Sequence, residues 1–524
     1  MIRRALLALA ALALTGTSTG SARATGFTDV GQDLKPRTKT EIDVIGYFRT
    51  RTEVLSNLDL DRGLTPSGQA LFPVPDSTTQ NILYGDMRLR TDVAMYSGGG
   101  SVAIKARIDM LDNVAFGGSP ASVPSASMTQ RTTGEQVFAV KRAYGEVALP
   151  IGVLSAGRMG AHWGLGMLAN GGDCADCDSG DAQDRIAFLS PLAGHIWAAA
   201  YDLAWSGPTA GRRDGIRRVG IAPTTQVHGV TFAMLRWNDQ LAHDRRAGAG
   251  KSTVNYGAYV AHRWQNGDAP YEYLAISGDR PTTSPIVARG FRATALDAWL
   301  RLVFPHGRIE AEAAAIFGQV DQPSLIPGVT SNQPVTTKQF GLAVQSEIGA
   351  PRDLAGGGLD FGYASGDSAP GFGASSNPQL PTPVRGDLEG PQANLPYDRT
   401  VDNFRFHPDF RVDRILFREL IGTVTDAYYV RPHARIAVLA MRTGRLTASI
   451  AGIASWAVQA NSTPSGKTPL GVEIDPTLSY QSHDGYVFAL EYAAFLPGSA
   501  FDNARAGLSA RPAQLFRLRL GLTF

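Results

Sequence analysis

Basic residues at alternate positions recur along the chain and could bind anions. Alternate residues of a β-strand lie on one face, so each such pair would place two cations on the same side of a sheet. Acidic residues with matching placement lie in other segments. We call the basic set the basic wall: Arg49, Arg51, Arg88, Arg90, Lys105, Arg107, Arg517 and Arg519. We call the acidic set the acidic wall: Asp297, Glu310, Glu312, Glu347, Asp360, Glu473, Asp475 and Glu491.

Two interpretations of these walls are open. On opposite sides of a pore, they would create a transverse field that orients polar solutes and biases selectivity. Alternatively, the charges pair between neighbouring strands and only keep the interior hydrated, since Asp86, Asp92 and Asp109 are interleaved with the cations. A second basic group would suit an anionic chain but would equally suit a general pore. It contains Arg431, Arg435 and Arg445, with His433 between the first two.

The chain's two cysteines, Cys174 and Cys177, lie in one acidic segment, residues 171–185. A zinc site would need a second pair of ligands, and none is nearby, so in an exported chain we expect a local disulfide. The carboxylates around the cysteines would repel one another unless a hard cation such as Ca²⁺ lay among them. The alternative is a solvated acidic loop without metal. The carboxylates that could bind calcium are Asp173, Asp176, Asp178, Asp181 and Asp184.

Motifs for enzymatic chemistry are missing from the sequence. After residues 1–24 it has no nucleophile-elbow motif, no HExxH zinc motif and no phosphate-binding loop, so we expect no enzymatic activity and no cofactor beyond that calcium ion. Lys and Arg total 49 against 47 Asp and Glu. This balance gives no reason to expect a nucleic-acid partner.

The N-terminal residues 1–24 have the pattern of a secretory signal peptide. Arg3 and Arg4 precede an apolar run, and Ala22 and Ala24 form a small-x-small cleavage site. We expect residues 25–40 to form a periplasmic N-terminal segment and residues 41–524 to form one β-barrel domain. No later apolar stretch reaches the roughly 20 residues that a membrane helix needs.

The last eleven residues, 514–524, alternate with a period of two. Phe516, Leu518 and Phe524 fall on one face, while Arg517 and Arg519 fall on the other. A soluble sandwich strand also alternates, but an apolar face that continues to a terminal Phe is unusual for a soluble fold. It resembles the strand that outer-membrane proteins present to the barrel-assembly machinery. We therefore expect that machinery, outer-membrane lipid and lipopolysaccharide as partners of a monomeric barrel.

Alternating segments of about ten residues, joined by short and long connections in turn, occur along the rest of the chain. The first three are residues 41–54, 83–96 and 101–113. The sequence predicts an all-β, transmembrane antiparallel β-barrel of about 18 strands (16 to 18), with short periplasmic turns and long extracellular loops. The connection at residues 238–252 is too long for one of the short turns, so the strand count could be wrong by two.

The longest loop, residues 367–426, contains an apolar segment at residues 411–422. Val412, Ile415, Leu416 and Leu420 have roughly helical spacing, which would leave Asp413 and its charged neighbours outside. Because an apolar segment in an outer loop must be covered, we expect it to fold into the barrel mouth and narrow the pore. The alternative is a strand extension or a lid over the rim.

Four short segments resemble the alginate-export-type family of outer-membrane porins and related bacterial outer-membrane barrels. They are GYFRTRTE at residues 46–53, FGYASGD at 361–367, GVEID at 471–475 and FLPGSAFD at 495–502. The resemblance implies an 18-stranded monomeric barrel. The family's polysaccharide role does not carry over, because acidic residues nearly balance the cations here.

The sequence as a whole indicates a Gram-negative outer-membrane channel that passes polar, anionic or saccharide solutes through a charged lumen. A second hypothesis is a structural or binding barrel whose mouth is closed by residues 411–422. A barrel-embedded hydrolase is the less favoured third.

Overall fold

A computed structural model gives the conformation of most of the chain. It describes residues 26–27, 29–31, 33–68, 71, 80–116, 138–204, 226–268, 287–323, 333–350, 353–372, 384–387 and 398–524. The predicted signal peptide, residues 1–24, lies outside the described residues.

The described residues form one closed antiparallel sheet of 18 strands, as the sequence predicts. Closure occurs at β1, where Phe48 lies opposite Leu522 of β18 on one side and Leu89 of β2 on the other. Every strand therefore has a partner on both edges. The strands are β1 Glu41–Ser56, β2 Asn81–Tyr96, β3 Val102–Ala115, β4 Phe138–Leu149, β5 Gly152–Gly160, β6 Ala182–Leu192, β7 His195–Ala204, β8 Val227–Arg236, β9 Thr253–Asp268, β10 Val287–Phe304, β11 Gly307–Val320, β12 Val335–Ile348, β13 Ala355–Ala364, β14 Ala427–Met441, β15 Gly444–Ala457, β16 Pro469–Ser482, β17 Tyr486–Pro497 and β18 Ala513–Thr523.

The outer face of the barrel is apolar. In β18, Phe516, Leu518 and Leu522 are 48%, 37% and 41% exposed, whereas Leu515 and Arg517 face inward and are 0% and 1% exposed. Soluble proteins do not leave so extensive an apolar surface facing water. A closed barrel with an apolar outside crosses lipid without leaving any backbone group unpaired. The protein is therefore an outer-membrane β-barrel.

The two ends of the barrel differ in the length of their connections. At the end we call the turn end, β4 and β5 are joined by Pro150 and Ile151 alone, and β14 and β15 by Arg442 and Thr443. The opposite loop end carries the long connections, among them residues 365–426 between β13 and β14.

The overlong turn at residues 238–252 contains a helix rather than missing strands. Helix α1, Gln240–Gly248, begins after Asp239, whose carboxylate accepts the backbone N–H of Ala242 at 2.7 Å. The strand count of 18 is therefore correct. Among the described residues, no helix has the length and apolar character needed to cross a bilayer.

The described part of the N-terminal segment, residues 25–40, contacts the inner face of the barrel. Phe27 is 7% exposed and lies under the guanidinium of Arg185 on β6, 5.1 Å from it. The backbone N–H of Gly31 donates to Glu146 of β4 at 3.2 Å. This segment therefore occupies part of the lumen before β1 begins at Glu41.

Candidate functional site

Residues 161–181, which connect β5 to β6 at the loop end, pack against inward-facing side chains, and we call them the inserted loop. Arg49 donates to the carbonyl of Cys177 at 3.0 Å. Arg88 donates to the carbonyls of Cys177 and Asp178, each at 2.6 Å. The same kind of contact joins Arg90 to Gly172 and Arg142 to Gly171. The basic wall therefore binds polypeptide backbone inside the barrel.

Asp176 of the inserted loop lies among three guanidinium groups. Its carboxylate is 2.7 Å from Arg418, 3.1 Å from Arg51 and 3.7 Å from Arg517. Burial alone would raise the pKa of Asp176, but the guanidinium charges outweigh it and keep that pKa well below the usual range. Asp176 therefore stays ionised and joins β1 and β18 to the segment that contains Arg418.

Asp178 makes a second junction of the same kind. Its carboxylate is 2.5 Å from both Arg51 and Arg411. Burial opposes ionisation, yet the charges of Arg51 and Arg418 lower the pKa of Asp178 to about 2. The backbone N–H of Asp178 also donates to Asp409 at 2.7 Å. The inserted loop is thus bound to the barrel wall and to the β13–β14 connection together.

The other aspartates of the predicted calcium loop also have positively charged or titratable partners. Asp173 is 3.0 Å from Arg142, and Asp181 is 3.6 Å from His407. The arginines supply the positive charge that a metal ion was expected to provide.

Asp184 lies apart from this set. It belongs to β6 rather than to a loop and pairs with Arg158 at 2.7 Å, where both side chains are about half exposed on the outer face. In the part of the chain that the structure describes, no group of three or more acidic, histidine or cysteine residues could bind a metal ion. Calcium binding by this loop stays a prediction, and Asp184 is wrongly included in it.

Cys174 and Cys177 are joined by a disulfide at the tip of the inserted loop. Because this bond closes a ring of only four residues, loop-closure entropy gives it about 2 kcal/mol. The arginine contacts to the carbonyls of Cys177 and Gly172 do not depend on it. We infer that the disulfide shapes the tip and that the arginines fix its position.

Replacing both cysteines by serine is expected to leave the single-channel conductance unchanged and to increase the current noise, because the tip loosens while its arginine contacts persist. Recordings of the double variant, and of the unmodified protein with and without reductant, test this. A large rise in conductance would show instead that the disulfide keeps the loop in the lumen.

The acidic wall binds backbone from the opposite side. Glu312 of β11 accepts the N–H groups of Leu165 and Leu168 in the inserted loop, at 2.5 and 3.3 Å. Asp297 is buried beside Glu312. Carboxylates accept N–H groups and guanidinium groups donate to carbonyls, so walls of opposite sign bind the two kinds of backbone group.

Residues 404–425 of the β13–β14 connection also lie in the lumen, and we call them the lumen segment. Glu473 of β16 accepts the backbone N–H groups of Arg414, Ile415 and Leu416 at 2.8–2.9 Å. A π-helical turn, Leu416–Leu420, follows. The lumen segment packs into an apolar cluster with strand residues Tyr429 and Ile453. Its own residues in this cluster include Phe404, Phe406, Phe410, Val412, Ile415, Leu416 and Phe417.

The charged residues of the lumen segment are not all outside, contrary to the sequence-based expectation. Asp413 is 6% exposed, and its carboxylate accepts the N–H of Phe417 at 3.0 Å. The helical periodicity fails because the segment forms a single π-turn enclosed by the barrel, so every side of it has a neighbour. Arg411, Arg414 and Arg418, which sequence reasoning did not select, recur at three- and four-residue intervals, a spacing that could have indicated a cationic face.

Most remaining wall charges pair with neighbours, and Arg445 of the second basic group donates to the carbonyl of Asp353. These pairs agree with the second interpretation, in which charges pair between neighbouring strands. Other wall residues, such as Arg88 and Glu312, instead hydrogen-bond the backbone of the inserted loop. The pairs are Arg90–Asp109 (2.7 Å), Lys105–Glu146 (3.2 Å), Arg107–Asp92 (2.6 Å), Arg308–Glu310 (3.0 Å), Arg431–Asp360 (2.7 Å), Arg435–Glu347 (3.2 Å), Arg517–Glu53 (2.6 Å) and Arg519–Glu491 (3.0 Å).

A cavity of about 280 Å³ lies between the lumen segment and strands β14–β18. Among the described residues that line it, arginines outnumber carboxylates. Its charged lining consists of Arg411, Arg414, Arg418, Arg431, Arg435 and Arg517 with Asp176, Asp413, Asp475 and Glu491. The cavity thus brings two members of the second basic group, Arg431 and Arg435, together with residues of both walls.

Comparisons with known proteins identify similar barrels but no family. No protein-family model matches the chain, and no curated protein matches it. OccK11 (OpdR) of Pseudomonas aeruginosa is 8% identical, with a TM-score of 0.46 over 94% of this chain and 98% of that one. OpdK of the same organism, solved with vanillate, is 10% identical, with a TM-score of 0.44 over 92% and 98%.

An anion-selective porin from Comamonas acidovorans is 8% identical, with a TM-score of 0.39 over 93% of this chain and 100% of that one. What these proteins bind or select does not transfer to this chain at such identities and TM-scores. The alginate-export-type resemblance is not confirmed by these comparisons.

Proposed function

We propose that the protein is a narrow outer-membrane channel for small polar solutes, with a preference for anions. The observation that carries this proposal is the arginine-rich cavity beside the lumen segment. A cationic lining inside a low-dielectric wall attracts anions and repels cations. Saccharide transport, the other solute class expected from the sequence, receives no separate support from a lining this densely charged.

The size of the opening supports a selective channel over a general diffusion pore. An empty 18-stranded barrel would enclose a wide aqueous lumen. Here the inserted loop and the lumen segment occupy that space, and the lumen segment carries its own apolar cluster. Solutes would therefore pass one at a time along charged side chains.

A structural barrel closed by the same segments is the second candidate function. The packing of Phe404, Phe406 and Phe410 inside the barrel favours it. It predicts a folded protein without measurable conductance. The barrel-embedded hydrolase has no support from a sequence motif and is not proposed.

Replacing Arg431 and Arg435 by glutamine is expected to lower the permeability ratio of chloride to potassium and to move the channel towards cation selectivity. The reason is that each substitution removes a positive charge and weakens the charge compensation of its acidic partner, Asp360 or Glu347. Reversal potentials in planar bilayers under a salt gradient measure this ratio.

Arg511→Gln is the matched control for charge, because this arginine is 72% exposed at the loop end. It should leave selectivity unchanged. If the permeability ratio of the double variant is unaltered, the cavity does not lie on the conduction path. If the folded unmodified protein shows no conductance, the closed barrel is favoured.

A further inference from the structure

Asp475 is a buried carboxylate with an unused oxygen in the arginine-rich cavity. It lies on β16, is 7% exposed and lines the cavity. Its Oδ1 atom has no hydrogen-bond partner among the described residues, and the nearest cation, Nη1 of Arg414, is 3.8 Å away. A buried carboxylate oxygen without a donor is costly, so this position is suited to a donor that a ligand brings.

The neighbouring carboxylates of Glu473 and Asp413 already accept hydrogen bonds. Glu473 accepts backbone N–H groups of the lumen segment, and Asp413 accepts the N–H of Phe417. Burial and the charge of Asp475 raise the pKa of Asp413 to about 8, so Asp413 is mainly protonated at neutral pH. Asp475 is then the carboxylate on this side of the cavity that keeps an oxygen without a donor among the described residues.

Unused donors lie on the cationic side of the same cavity. Arg431 uses Nη1 for Asp360, but its Nε has no partner among the described residues. Arg517 is 1% exposed, uses Nε for Glu53, and likewise leaves Nη2 without a partner in the described part of the chain. Residues that line the cavity therefore combine buried donors without a partner, which suit an anion, with a buried acceptor without a partner, which suits a cation.

We propose that this cavity is a binding site for a small zwitterion that carries one carboxylate and one ammonium group, such as a free α-amino acid. The ammonium group would donate to Asp475, and the carboxylate would accept from Arg431 and Arg517. A cavity of about 280 Å³ suits a molecule of that size and excludes an extended chain. The inference rests on the proposed channel function and assigns its solute class.

The test measures uptake of matched probes by liposomes that contain the full-length mature protein. L-serine is the zwitterion, glycerate replaces its ammonium group by a hydroxyl, and ethanolamine lacks the carboxylate. Unmodified protein should take up serine faster than either analogue. Asp475→Asn should reduce the preference for serine over glycerate about tenfold or more, because it removes one partner of a desolvated charge pair.

Further variants separate folding from recognition. Arg431→Gln should slow serine and glycerate together, and Asp475→Glu should retain most of the serine preference because it keeps the charge. Asp484→Asn, in the exposed turn between β16 and β17, should change nothing. Heat-modifiable migration in a detergent gel verifies that each variant has formed its barrel.

The possible failures are distinguishable. Equal uptake of serine and glycerate through a conducting channel, or an unchanged preference in Asp475→Asn, overturns the zwitterion site but leaves the channel. Absence of both conductance and uptake of any probe overturns the channel function, and the zwitterion site with it.

Discussion

Asp176→Asn is expected to raise the single-channel conductance and the preference for anions, because it disconnects the inserted loop from the barrel wall. Three guanidinium groups converge on this carboxylate, and two of them, on Arg51 and Arg517, are buried. Removing one partner of a fully buried pair costs ~3–5 kcal/mol, and the cost here is lower because the Asp176 side chain is 25% exposed.

The change in conductance has two physical sources. The freed arginines become available to passing anions, and a loosened inserted loop samples positions away from the wall. Recordings in planar bilayers at several salt concentrations separate them, since screening weakens the first effect and leaves the second.

Asp184→Asn is the matched control for the Asp176 variant. It removes the same charge a few residues along the chain, but from an ion pair on the outer face. It should leave conductance unaltered. If both variants behave like the unmodified protein, the ion pairs of Asp176 do not position the inserted loop.

Glu473→Ala is expected to release the lumen segment and to produce the largest conductance increase of any single substitution. The carboxylate of Glu473 is buried and accepts the N–H groups of Arg414, Ile415 and Leu416. Each buried N–H left without an acceptor costs about 1–3 kcal/mol. Relief of the repulsion between the buried carboxylates of Glu473 and Asp475 offsets part of this, but three lost hydrogen bonds outweigh it.

Release of the lumen segment has a second readout. Protease added to intact cells should cut residues 404–425 in Glu473→Ala and leave them intact in the unmodified protein. Glu419→Ala is the control within the same segment, because among the ion pairs of the described residues that carboxylate contacts only Arg418, at 3.7 Å. Equal conductance in the two variants would contradict the role given to Glu473.

The barrel could be predicted from the sequence because its determinants are local. Lipid on one side and a hydrated lumen on the other impose a period of two on every strand, and β18 shows this period directly. The ends of a strand do not follow from the sequence where the strand continues beyond the residues that alternate between apolar and polar. β6, for instance, begins at Ala182 and so includes Asp184, which the sequence analysis places in the acidic segment 171–185.

The contents of the lumen could not be predicted in the same way. The spacing of Arg49 and Arg51 predicts that both face inward, but not that the inserted loop, more than one hundred residues later in the chain, supplies their partners. The sign of each side-chain charge and the strand face on which it lies follow from the sequence. Which group pairs with it depends on how a long loop folds back into the barrel.

The sequence by itself determined the strand pattern, the apolar outer face and the positions of the inward charges, because each depends on neighbours within a few residues. Only the tertiary structure decided that the basic wall binds the inserted loop, that Glu473 binds the lumen segment and that an arginine-rich cavity remains beside it. Those outcomes depend on three-dimensional closure of the barrel, which brings β1 and β18 together and sets opposite walls at a distance that two inserted segments can bridge.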